Sequence, residues 1–184
     1  MRFPMRCDRY ELRDDPAAPG QWRGGIGIVR MNRFLEPGVY SCEGDRHTDP
    51  PRGIFGGYDG LPGKTSFINK DGAVRDIPAK VTGFLCDAGE VIQLTEPNSG
   101  GYGNPLDREP GMVLEDVLDD FTSLELARAA YGVVISDDLV IDDAATTELR
   151  ARMRSEQGDG FQGELLTLVS TPHPMAISPY AKAT

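Results

Sequence analysis

The sequence predicts an α+β protein: a mostly antiparallel β-domain with long glycine-rich loops, followed by a small helical segment and an extended C-terminal arm. Three observations carry this. Short apolar runs with a period near two, separated by turn signals, fill the chain to about residue 97. Beyond it the period becomes 3.6, with Val113, Leu114, Val117, Leu118 and Phe121 on one stripe. The 22 glycines and 14 prolines among 184 residues place much of the backbone in turns that bury little apolar area. The chain accordingly divides into a β-rich part over 1–106, an acidic helical segment over 107–157 and a tail over 158–184.

In order, Arg6–Leu12 reads as a strand ended by Asp14-Asp15-Pro16, and Gly25–Phe34 as a central strand entered through glycines. Val39–Cys42 is a short strand. The stretch from Gly44 to Lys64 carries nine glycines and prolines and reads as a long loop, anchored by Ile54, Phe55 and Tyr58 rather than disordered. Thr65–Asn69 and Ala73–Ile77 flank Asp71-Gly72 as a hairpin. Lys80–Leu85 and Val91–Thr95 flank Asp87-Ala88-Gly89 in the same way. The segment from Asn98 to Pro105 reads as a second, flexible glycine loop.

A helix is expected over roughly 110–119, with Pro110 in its first turn. Thr122-Ser123-Leu124-Glu125 has the pattern of a capping box, in which the Thr122 oxygen accepts an amide and Glu125 reaches back, and that helix should stop at Gly132. Asp142 or Asp143 caps a third helix running to about Arg154, whose last-turn arginines match its negative end. These helices read as a small acidic appendix. The tail from Gly158 reads as an arm lying over another surface or as a disordered end.

Charge narrows the function classes. The formal net charge is −10, and residues 107–160 hold 14 acidic against 5 basic side chains. Nucleic-acid binding rests on a positive patch, so no nucleic-acid partner is expected. No run approaches the ~20 apolar residues of a membrane span, and Met1–Arg6 lacks the apolar core of a signal peptide. The expected location is cytoplasmic. Cys7, Cys42 and Cys86 form no CxxC pair, so they read as buried reduced thiols rather than a zinc site or a disulfide frame.

Three constellations are candidates for chemistry. Asp45, Arg46 and His47 open the long glycine loop, where acid, cation and imidazole converge; the alternative is a salt bridge that braces the loop. Gly56 and Gly57 lead on to Gly63-Lys64-Thr65, which is not a phosphate-binding P-loop because Tyr58 stands where its first glycine is required. Backbone amides beside Lys64 could still hold an anion, or the glycines could serve a turn only. Gly100, Gly101 and Tyr102 could bring backbone close to a ligand with an aromatic ring beside it, or simply end the sheet. His47 and His173 stand in no metal-ligand spacing, so no metal site is expected within this chain.

The motifs taken together resemble the hydantoinase B family. Tyr10-Glu11-Leu12-Arg13-Asp14 and the run from Pro19-Gly20-Gln21-Trp22-Arg23-Gly24-Gly25 to Arg30 carry the likeness first. Gly44-Asp45-Arg46, Pro50-Pro51-Arg52-Gly53-Ile54-Phe55-Gly56-Gly57 and Pro62-Gly63 are similar to the family's loop. Ile77-Pro78-Ala79-Lys80, Gly100-Gly101-Tyr102-Gly103-Asn104-Pro105 and Ala130-Tyr131-Gly132-Val133-Val134 continue in family order. Asp15–Gly20 replaces a Ser-Gly-Gly stretch, and Asn104 stands where Asp is commoner.

The resemblance implies the carboxy-terminal region of a B-type subunit, here as a naturally split small subunit. The implied partners are a large B-type subunit lacking this region and an ATP-using A-type subunit. ATP and magnesium would belong to the A-type partner, a further metal to the large B-type part, and no cofactor to this chain alone. The expected function is completion of an ATP-dependent ketone carboxylase of the acetone or acetophenone type, acting on a phosphorylated enol. The alternatives are the same role in a cyclic-amide hydrolase for hydantoins, oxoproline or lactams, and a scaffold that takes no part in chemistry.

Overall fold

The structure is a computed structural model, and it describes residues 3–157. Seven strands and three α-helices follow in order: β1 (Met5–Leu12), β2 (Ile28–Phe34), β3 (Gly38–Glu43), β4 (Lys64–Ile68), β5 (Val74–Asp76), β6 (Lys80–Cys86), β7 (Val91–Thr95), α1 (Pro110–Leu118), α2 (Leu124–Tyr131) and α3 (Asp143–Glu156). All pairings between these strands are antiparallel. The expected α+β class is therefore observed. The expected C-terminal arm lies outside the described residues.

One sheet has five strands in the order β1-β2-β7-β4-β5, and β3 pairs with β6 in a separate ribbon. The two layers close over Phe34, Phe67, Ile77, Cys86 and Ile92, with the Phe67 and Phe84 rings edge to face at 5.2 Å. Ile92 and Leu94 of β7 and Phe84 and Cys86 of β6 face this interior one position in two, while Thr65, Ser66 and Phe67 of β4 and Val91, Ile92 and Gln93 of β7 are buried consecutively.

The reading of β6 and β7 as a hairpin is corrected. β6 pairs with β3, whereas β7 lies between β2 and β4. The turn at Asp87–Glu90 exists, but it carries the chain from one layer to the other. It is fastened to the end of β2 by Gly89 N–H to Phe34 C=O at 2.7 Å and Phe34 N–H to Glu90 C=O at 2.9 Å. The central strand also begins later than expected, at Ile28. The Gly27 amide donates to the Asn98 side chain at 2.7 Å instead of to a ladder partner.

The glycine-rich stretches are not flexible loops. Tyr58 N–H donates to Pro19 C=O at 2.8 Å, Gly101 N–H to Tyr58 C=O at 2.9 Å, and Ile54 N–H to Gly101 C=O at 2.9 Å. Three stretches distant in sequence thus lie backbone against backbone. A methyl group at Gly57 would sit 2.1 Å from the Gly101 oxygen, and one at Gly101 would sit 2.1 Å from the Pro19 oxygen. The glycines here make room for neighbouring backbone, which no side chain would permit.

Nor are the helices an appendix. Val113, Leu126, Ala127, Ala130, Tyr131 and Val133 share one buried cluster with Ala18, Tyr58 and Leu61 of the glycine-rich stretches. Their acidic residues occupy the outer faces, and one acid, Asp116, is buried. The cap of α2 is Ser123 rather than Thr122: the Ser123 hydroxyl accepts from Leu126 N–H at 3.1 Å, and Glu125, the second helical residue, has its carboxyl held below the ordinary range by its own amide and by Ser123. The helix ends at Gly132 in the left-handed region, φ 62°. Asp142 caps α3 through Ala145 N–H at 2.9 Å.

Candidate functional site

The loop after β3 builds an open recess of about 520 Å³ from Gly44 to Asp49 on one side and Ala79 and Lys80 on the other. Gly44 N–H bonds to Ala79 C=O at 2.8 Å and joins the two walls where the loop begins. Asp45 and Lys80 form an exposed ion pair across them at 3.3 Å. Arg46 takes a left-handed φ of 62°, uncommon for a residue with a side chain. That turn points its carbonyl at Gly63 N–H, 2.9 Å away.

His47 is half-buried in the wall. Its Nε2 lies 3.4 Å from the hydroxyl of the buried Thr65, a long contact whose direction depends on the tautomer. Its Nδ1 is buried with no hydrogen-bonding partner. A methyl group at Gly44 would lie 2.5 Å from the His47 ring, so the glycine leaves the imidazole its place. The recess thus brings an imidazole, a guanidinium and an ammonium together with two carboxylates, Asp45 and Asp49, a set whose cations could pair with an anionic group.

Asp45, Arg46 and His47 come together as their adjacency in sequence requires. Lys80 joins them, and sequence reasoning missed it because it arrives from a different strand. Lys64 is elsewhere, in an exposed pair with Asp76 at 3.1 Å. The amides that an anion cradle around Gly56 and Gly57 would use are engaged within the chain: Gly53 with the Asp59 carboxylate, Gly57 with Ile54, Gly60 with Pro51 and Gly63 with Arg46. Gly100 and Gly101 are pressed against Arg52 and Pro19 backbone. Tyr102 presents its ring to the surface, edge to face with Phe55 at 5.4 Å.

A second missed feature is a buried ionic cluster. Asp116 lies 2.8 Å from Arg108 and 2.8 Å from Arg23. Arg108 also donates to Gln21 C=O at 3.0 Å, and Arg23 stacks over the Phe121 ring at 4.2 Å. The Tyr131 hydroxyl nearby is pushed well above the ordinary phenol range, first by burial and then by Asp116. This cluster ties α1 to the stretch that carries Trp22. Only the patterned position of Asp116 on the apolar side of α1 could have signalled it.

Of the three thiols, only Cys86 is buried, and burial pushes it up to about 11. Cys7 is exposed and Cys42 half-buried, which corrects the expectation that all three are interior. Among the described residues no group of His, Cys, Asp and Glu is arranged to hold a metal ion, and no helix is long and apolar enough to cross a membrane.

These features define a two-layer antiparallel segment locked to a helical face by close backbone packing, with a polar recess at one loop. The model of the hydantoinase B/oxoprolinase family matches residues 1–105, and the chain belongs to that family. It is 46% identical over 149 residues, 80% of this chain and 25% of the relative, to the B-type subunit of a putative D-/L-hydantoinase of Pseudomonas sp. (strain NS671). It is 33% identical over 157 residues to the β-subunit of the caprolactamase of Pseudomonas jessenii, covering 81% of this chain and 26% of the relative. The crystal structure of the ATP-dependent caprolactamase from that organism superposes with a TM-score of 0.61 at 31% identity, covering 80% of this chain and 26% of that one. The nucleotide-free acetone carboxylase shares the fold, with a TM-score of 0.52 at 15% identity over 83% of this chain and 25% of that one. The chain spans about a quarter of the length of these relatives.

Proposed function

We propose that this chain supplies one quarter of the B-type component of an ATP-dependent cyclic-amide hydrolase. The observation that carries the reading is the 46% identity over 149 residues to a protein named as part of a hydantoinase, supported by the caprolactamase likeness in both sequence and fold. An A-type partner uses ATP and magnesium to activate the amide carbonyl, and a large B-type portion holds any metal. The recess of Asp45, Arg46, His47 and Lys80 meets the activated, anionic intermediate, with the cations pairing its charge and His47 exchanging a proton. The ketone-carboxylase role is the second reading, favoured by the shared fold of acetone carboxylase.

Turnover of the assembled complex separates the two. ATP consumption that depends on a hydantoin, oxoproline or a lactam, without bicarbonate, is expected; consumption that needs a ketone and bicarbonate overturns the hydrolase in favour of the carboxylase. Within the same assembly, His47→Ala should lower kcat by about 10²-fold, the lower range for a lost proton-transfer group, while the complex stays intact. Unchanged turnover would favour a scaffold role for this chain.

A further inference from the structure

Trp22 and Tyr102 exchange both backbone hydrogen bonds, at 3.0 and 2.9 Å. They form an antiparallel bridge, and Ile54 bridges Tyr102 in parallel. Directly paired residues project to the same side of a ladder, so these three side chains share a face. Phe55 joins them through its ring contact with Tyr102. Phe55 is 76% exposed, Trp22 57%, and Ile54 and Tyr102 about half. Single exposed apolar residues are ordinary, but a contiguous aromatic cluster on a folded surface marks an interaction site.

The backbone beneath cannot rearrange to hide these rings. A methyl group at Gly20 would lie 2.6 Å from the Tyr102 nitrogen, and one at Gly57 2.3 Å from the Gly101 carbonyl carbon. Phe55 itself is held at φ 53°, a conformation bulky residues avoid. A rigid display of Trp, Phe and Tyr loses little freedom when it is covered, which is the property of interface anchors.

We propose that Trp22, Ile54, Phe55 and Tyr102 form the docking surface for the part of a hydantoinase B polypeptide that this chain does not represent. The occupant follows from length. The relatives match four-fifths of this chain with only about a quarter of their own, so in them a portion about three times as long is joined to this segment and is at hand to cover the face. The inference rests on the reading of this chain as part of a B-type component.

The test mixes the separately expressed full chain with the B-type hydantoinase polypeptide of Pseudomonas sp. (strain NS671) from which the matched 149 residues are removed. Trp22 is the sole tryptophan here. 5-Fluorotryptophan incorporated into this chain alone before mixing therefore gives a single fluorine resonance that reports on the surface. The wild-type chain should co-purify with the large fragment and its resonance should shift. Phe55→Ser with Tyr102→Ser should cut co-purification at least about tenfold, as for paired hot-spot residues. Val39→Ser with Leu85→Ser, an exposed apolar pair on the β3–β6 ribbon, should leave it unchanged.

Undiminished association of the Phe55/Tyr102 variant, or loss on the Val39/Leu85 variant alone, overturns the docking surface and leaves the B-type reading standing. No association of the wild-type chain overturns both. A fluorine shift produced in the free chain by deleting residues 158–184 would name that segment as the occupant and overturn the proposal.

Discussion

At Gly57 and at Gly24 an added methyl group would stand 2.1 Å from a carbonyl oxygen, of Gly101 and of Ser99 respectively; at Gly72 and Gly83 it would meet nothing within 4 Å. The first two lie in the stretches where backbone packs on backbone. The second two have left-handed φ values of 82° and 71° in exposed turns and bends of the strands. One residue type thus does two unrelated jobs in this molecule. In the packed stretches it is the missing side chain that matters, and in the turns it is the accessible backbone angle. A high glycine content consequently marks the least yielding region of the molecule here as well as its bends.

The contrast is broken most severely at Gly57. Gly57→Ala should abolish the cooperative thermal transition, because backbone on both sides blocks the new methyl group; a variant that melts within a few degrees of the wild type would show that these stretches yield after all. The next largest effect is expected at the cluster that fastens them to the helices. Asp116→Ala leaves Arg108 buried without its carboxylate and should cost about 3–5 kcal/mol in urea unfolding. Because Arg23 and Gln21 belong to the packed stretch, the loss should also raise hydrogen exchange at the Trp22 and Tyr102 amides.

The turn glycines should respond mildly. Gly83→Ala has space and only an unfavourable φ, so a loss of roughly 1 kcal/mol is expected from chemical denaturation, with the β3–β6 ribbon intact. Smallest of all, Gly111→Ala in the first turn of α1 meets nothing within 4 Å. It should raise stability by up to about 1 kcal/mol, since alanine loses less freedom than glycine in a helix.

Much of the fold was legible beforehand for reasons that are local. Strands β1, β4, β5 and β7 fall where alternation and turn residues placed them, and α1 and α3 where the stripe and the Asp142 cap did. The errors share a cause. Asp87-Ala88-Gly89 is a good turn sequence, but whether the strands it joins pair with each other depends on β2 and β3, which compete for them. Thr122 and Ser123 are both competent caps, and the choice follows from Thr122 being drawn into the interior. At the recess, Asp45, Arg46 and His47 were legible as neighbours, whereas Lys80 was not. Of the three residues expected to anchor the long loop, Tyr58 is buried, whereas Ile54 and Phe55 face outward beside Trp22 and Tyr102; that face draws on three separate stretches, so no single stretch showed it.

The amino-acid sequence by itself determined the alternation of the strands, the stripe and caps of the helices, the acidic outer faces, and the ordered motifs that mark the family. These depend on neighbours a few residues apart, where period and turn chemistry act. Tertiary structure alone decided that the glycine-rich stretches lie against one another, that the helices share their core, and that four apolar side chains face outward together. The physical reason is that backbone amides and carbonyls carry no residue identity. A hydrogen bond from Ile54 to Gly101 or from Tyr58 to Pro19 is written in no side chain, and is settled only when distant segments meet closely enough to exclude one.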